Sequence, residues 1–109
     1  LDPLPEAYDA IGLIYIHKTP GQREIMYPKL IRALKPGGWL ILEAFNKKQI
    51  ANNTGGPKEI EMFFTKEQLR EYFKELIIVE LEEQEQWLSE GLLHVGKSDT
   101  VRLLAFKNL

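Results

Sequence analysis

Two apolar runs, residues 8–16 (YDAIGLIYI) and 39–45 (WLILEAF), flank a stretch with helical spacing, and this order constrains the fold more than any other feature of the chain. Parallel strands cannot be joined by a tight turn; they need a crossover of a dozen or more residues, usually a helix. Between the runs, Met26 or Tyr27, Leu30, Ile31 and Leu34 fall on one stripe at 3.6-residue spacing. Pro28 removes a donor and crowds the preceding turn, so the spacing predicts a helix that starts near Ile25 or kinks there. Lys35-Pro36-Gly37-Gly38 then reads as a helix end, because glycine accepts positive φ cheaply and Pro36 cannot continue the helix. Trp39, Leu40, Ile41 and Leu42 show no polar alternation before Glu43, the composition of a strand buried on both faces.

The downstream half extends the pattern. Thr65 and Gln68 form a capping box that opens a helix to about Phe73, with Leu69, Tyr72 and Phe73 facing inward. Residues 76–86 begin apolar and then alternate Val79 and Leu81 against Glu80, Glu82 and Glu83, as a strand does on passing from core to solvent. Gly96-Lys97-Ser98-Asp99 reads as a turn and residues 100–107 as the last strand. The order is β-α-β-α-β-β, an α/β chain whose last strand, reached without a helix, runs antiparallel to the one before it. Residues 46–62 form a long connection rich in turn residues (NNTGGP), the kind that serves as a functional or mobile loop.

If successive crossovers step in one direction, both helices lie on the same face of the sheet. The strands have the composition of elements covered twice, yet the chain supplies one cover. The edge of the strand at 8–16 is also bare and apolar, which is hazardous unless paired.

Composition removes several functions. A net charge of -2 and no basic cluster longer than Lys47-Lys48 argue against nucleic acid. Zero cysteines exclude disulfides, thiolate metal sites and a cysteine nucleophile. No apolar run approaches the ~20 residues of a membrane-spanning helix, and no signal-peptide pattern is present, so no membrane and a cytoplasmic location are expected. The 109 residues begin at Leu1 rather than Met, which suggests a piece of a longer protein.

The segments YDAIGLIYIH and LKPGGWLILEAF, a helix between them and a closing antiparallel strand resemble the second half of a class I S-adenosylmethionine-dependent methyltransferase. NNTGGPKEIEMFFTKEQLREYF and EGLLHVGKSDTVRLLAFK place the resemblance near the tellurite-resistance-type branch. It implies a partial Rossmann-like sheet: residues 1–109 supply strands four to seven, with the antiparallel seventh slotted between five and six. The family's first strand, its glycine-rich loop and its ribose-binding acid have no counterpart here, and no Gly-x-Gly-x-x-Gly occurs. The implied cofactor is S-adenosylmethionine, the implied reaction methyl transfer to a small-molecule acceptor. The isolated chain is expected to be inactive.

Residues at the carboxyl end of strand 8–16 face the cofactor's methyl group or the substrate in the family. His17 is therefore a candidate catalytic residue, orienting a substrate or accepting a proton, since imidazoles titrate near neutrality. An exposed loop histidine is the competing reading. Tyr15 and Ile16 would line the same cofactor wall with His17, though strand core suits Ile16 equally. Asn53, Gly55 and Gly56 either form a substrate lid hinged on the glycines or a plain surface loop. His94 either reaches the substrate or is structural, bonded to Arg102 or Glu90. His17, His94 and a glutamate lack metal-ligand spacing, so no metal is expected. The expected partner is the missing amino-terminal half, or a second copy in a homodimer joined through the edge of strand 8–16. A non-catalytic remnant that works as a binding module is the rival function. A dinucleotide-dependent dehydrogenase half is disfavoured by the antiparallel closing hairpin.

Overall fold

The protein is described by a computed structural model covering residues 3–51, 60–89 and 95–109. It forms one four-stranded sheet in the order β1-β2-β4-β3, built from β1 (Tyr8–Ile14), β2 (Leu34–Phe45), β3 (Ile77–Ser89) and β4 (Val95–Phe106). Helix α1 (Pro20–Ala33) joins β1 to β2, and α2 (Lys66–Tyr72) precedes β3. β1 and β2 run parallel from Ala10↔Trp39 to Ile14↔Glu43, as the crossover requires. β4 is antiparallel to both of its neighbours and lies between them, the arrangement that the resemblance implies. No helix among the described residues is long and apolar enough to cross a membrane.

α1 begins at Pro20, not near Ile25. Thr19 is its cap: the hydroxyl accepts from the Gln22 N–H at 3.3 Å, and the Gln22 side chain accepts from the Thr19 N–H at 2.9 Å. Pro20 sits at the first helical position, where its missing N–H costs nothing. Pro28 lies within the helix, where its ring denies the Glu24 carbonyl a partner; both residues are exposed, so water can take that place.

The helix ends before the glycines. Its cap is Leu34, in extended geometry, and residues 35–38 form an irregularity at the start of β2, between the pairs Tyr8↔Leu34 and Ala10↔Trp39. Gly37 takes φ +81°, and its N–H donates to the Lys107 carbonyl at 2.7 Å. Gly38 is needed for space instead: a Cβ there would stand 2.8 Å from the Lys35 carbonyl oxygen and 3.1 and 3.2 Å from those of Tyr8 and Asp9. Lys107 completes the junction, its ammonium donating to the Ile31 and Leu34 carbonyls at 3.1 and 2.9 Å, where the end of α1 favours a cation.

One face of the sheet is covered. Leu40, Leu42, Ala44, Val101, Leu103 and Ala105 are buried with Tyr27 and Ile31 of α1, Leu69 of α2 and the following Phe73. Tyr27 meets Phe73 at 4.8 Å and Tyr72 edge-on at 5.3 Å between ring centroids, so the two helices do share this face. Arg23, fully buried, stacks its guanidinium 3.8 Å above Phe64 and donates to the Met62 and Phe63 carbonyls, fastening α1 to the segment before α2.

Among the described residues the opposite face stays open, and β2 is not buried on both sides: Trp39 and Ile41 are 39% and 41% exposed while Leu40 and Leu42 are buried. Apolar character on both faces of the strand thus reflects composition, and this chain's helices cover only one. Two further expectations change. Short 3-10 turns at Lys47–Ala51 and Ile60–Met62 narrow the long connection, the first pinned by buried Asn46 and Gln49. Gly96 to Asp99 lie inside β4, because the β3–β4 pairing continues out to Ser89↔Val95.

Gly38→Ala should destabilise the fold by ~1–3 kcal/mol through overpacking against the carbonyls of the β1 entrance. Urea unfolding reads this directly, and an unchanged midpoint would contradict the close approach. Burial, reinforced by nearby Tyr72 and opposed by Arg23, pushes the Tyr27 phenol from 10.0 up to about 12. The folded state then keeps a proton that the unfolded chain releases, so this contribution to stability is complete below pH 10 and lost as pH rises towards 12. Across that window wild type should lose stability faster than Tyr27→Phe by about 1 kcal/mol per pH unit, measured by denaturant unfolding.

Candidate functional site

β1 stops at Ile14 because the next residue turns away. Tyr15 takes φ +52°, a left-handed conformation that a bulky residue adopts only when its surroundings hold it there. Those surroundings are the carboxyl end of β2. The Tyr15 N–H donates to the Glu43 carbonyl at 2.7 Å, and its hydroxyl donates to the Glu43 carboxylate at 3.2 Å. Its ring tilts against Phe45 at 5.1 Å between centroids. The side chain is thereby folded back over the open face instead of trailing off the strand.

His17 arrives from the other side and lies parallel to the same Phe45 ring, 6.0 Å between centroids and 10° between planes. Its Nδ1 is buried without a hydrogen-bond partner among the described residues, an exception that buried polar atoms seldom make. Across the sheet, Arg102 approaches Glu43 at 3.8 Å, a long ion pair between partly exposed groups. Burial, then the Glu43 charge, then the hydrogen bond to it, raise the Tyr15 phenol above its ordinary value, so the hydroxyl remains a donor through the neutral range.

The cluster of Tyr15, His17, Glu43, Phe45 and Arg102 therefore sits at the carboxyl ends of the two parallel strands, where open α/β sheets bind ligands. Of the residues expected there, Tyr15 and His17 are brought together. Ile16 lies beyond β1 and is 40% exposed, so it is not strand core. Asn53, Gly55, Gly56 and His94 lie outside the described residues. Glu43 and Phe45 were not singled out from the sequence; the signal was their parity with Trp39 and Ile41 along β2, which puts all four on the open face. Clefts of about 310 and 320 Å³ near Pro3, one beside Lys29 and Arg32 and one beside Tyr8 and Ala10, lie towards the amino end of β1, away from this cluster.

No protein-family model and no curated protein matches the sequence. Solved structures do. A SAM-dependent methyltransferase from Methanosarcina mazei superposes with a TM-score of 0.72 at 19% identity, over 100% of this chain and 63% of its own. TehB from Haemophilus influenzae, of the tellurite-resistance type, gives 0.71 at 18% identity over 96% of this chain and 37% of its own. The N-methyltransferase NodS from Bradyrhizobium japonicum gives 0.64 at 13%, over 97% and 54%. The chain thus spans less than two thirds of the length of each. At such identities the likeness is one of fold, and with the strand order and same-face helices it shows that this chain has a partial, Rossmann-like form of the class I methyltransferase fold.

Proposed function

We propose that the chain is the carboxyl-terminal half of an S-adenosylmethionine-dependent methyltransferase that methylates a small-molecule acceptor. The observation that carries this reading is the strand order β1-β2-β4-β3, with an antiparallel strand inserted beside a parallel pair, together with its likeness to methyltransferases. The partner is the half-sheet that pairs with the free edge of β1 and covers Trp39 and Ile41. Full burial is worth ~1.5–3 kcal/mol for each large apolar side chain.

S-adenosylmethionine supplies an electrophilic sulfonium methyl group. The residues present fit one wall of a site for it: Tyr15, Phe45 and His17 offer a partly exposed aromatic surface at the strand ends, while the sequence holds no Gly-x-Gly-x-x-Gly to grip the rest. Methyl transfer to a nucleophile asks mainly for alignment, so the work of this wall is to exclude water and fix the direction of approach. The left-handed Tyr15 backbone, held by two hydrogen bonds to Glu43, is what sets the wall's position.

The free β1 edge and open face also admit a second copy of the chain, which makes a self-associating module the second reading. A monomer at high micromolar concentration that binds no apolar-surface dye would dispose of it.

The 109-residue chain alone should bind S-adenosylmethionine no more tightly than ~1 mM by calorimetry, whereas a protein that also carries the amino-terminal half should bind it in the micromolar range and transfer its methyl group. In that extended protein, Tyr15→Leu should lower turnover ~100-fold by misaligning the wall. Tight binding by the short chain, or none by the long one, would refute the proposal.

A further inference from the structure

We infer that the cluster at the end of β1 is a receptor for an aliphatic ammonium group, formed by the ring faces of Tyr15, Phe45 and His17 and the carboxylate of Glu43. In terms of the proposed function, on which this assignment of biological role rests, the methyl acceptor then carries an aliphatic ammonium group by which the cluster holds it.

The chemistry follows from what the cluster presents. Aromatic faces carry negative potential and attract a cation within about 6 Å of the ring centroid. Tyr15 is 37% exposed, so its ring is reachable from the open side of the sheet. Glu43 accepts from the Tyr15 hydroxyl at 3.2 Å, and its guanidinium neighbour stands off at 3.8 Å, so the carboxylate keeps acceptor capacity for a further N–H donor. Three N–H groups on a primary ammonium match that need, and its alkyl stem matches the aromatic surround.

Charge on this face points the same way. Along one cross-strand row, Glu43 pairs with Arg102 and Arg102 with Glu82, which sets two carboxylates against one guanidinium. Glu80 follows on the next row of the same face, opposite Leu104. An anionic group such as a phosphate would meet ring faces and a surplus of carboxylates, so the site selects against it. The Nδ1 of His17 adds a buried polar atom at the cluster, with no partner among the described residues to satisfy it.

Three onium groups share this chemistry, the ammonium of an acceptor and the sulfonium and α-ammonium of the methyl donor, and the experiment separates them. The 109-residue chain is titrated in solution with n-butylammonium, with n-butanol as neutral control, and with trimethylsulfonium and L-methionine as carriers of the donor's two groups, following backbone and ring NMR signals. Saturable shifts confined to Tyr15, His17, Glu43 and Phe45 are expected with n-butylammonium and absent with n-butanol. Glu43→Gln and Tyr15→Leu should each weaken binding about ten-fold. Unmoved signals from β3 and β4 would show that each variant remains folded. Equal shifts with n-butanol, undiminished binding in both variants, or no saturation would overturn the inference. Trimethylsulfonium binding with n-butylammonium excluded, or L-methionine binding as tightly as n-butylammonium, would assign the cluster to the donor and overturn it too. Because this readout needs neither S-adenosylmethionine nor turnover, its failure is distinguishable from failure of the methyltransferase reading.

Discussion

Parallel pairing of β1 with β2 depends on a backbone approach at Gly38 that leaves no room for a side chain, and much of the architecture follows from it. A parallel pair cannot be closed by a turn, so α1 must cross over the sheet. The crossover sets the face that α1 covers, and α2 reaches the same face through Tyr27. The same few residues tie the helix end to the sheet: Lys107 reaches the last carbonyls of α1 from the end of β4, while its backbone pairs with Gly37 and Gly38. A small region thus joins the first helix, the second strand and the last strand.

The candidate site grows from the other end of that pairing. Because side chains alternate along β2, the even positions from Leu40 to Ala44 build the core and the odd positions build the open face. At the carboxyl end those odd positions change character, from Trp39 and Ile41 to Glu43 and Phe45, so an apolar surface gives way to one carboxylate and one ring. Tyr15 and His17 close over them because the chain must leave β1 here to begin α1. Fold and chemistry meet in one residue, since the left-handed Tyr15 both ends the strand and orients the phenol.

Much of the fold was legible in the sequence, and its failures have identifiable causes. The box at Thr65 and Gln68 was read because apolar positions follow it at helical spacing. Thr19 and Gln22 form the same box, yet Pro20 and Gly21 between them resemble a turn, and Pro28 discouraged extending the helix backwards. Turn residues misled again at Gly96 to Asp99, where pairing with β3 outweighs the local preference. At the candidate site, His17 and Tyr15 were singled out by position alone. Glu43 was passed over because a single acid ending an apolar run reads as the border of a strand. Arg23 falls on the buried stripe of α1 one turn before Tyr27, but a helix expected to start near Ile25 left it out, and only the tertiary stack on Phe64 explains how a guanidinium is buried there.

The place of β4 between β2 and β3, although β3 precedes it in the chain, carries a consequence for biosynthesis. β2 is complete once Phe45 has left the ribosome, yet its second neighbour ends at Phe106. At ordinary elongation rates that interval is a matter of seconds. Throughout it the nascent ribbon leaves the outer edge of β2 without its strand, the state in which strands recruit one another between chains. The insertion that gives the finished sheet its order therefore exposes the half-synthesised one to wrong pairing until its own strand arrives.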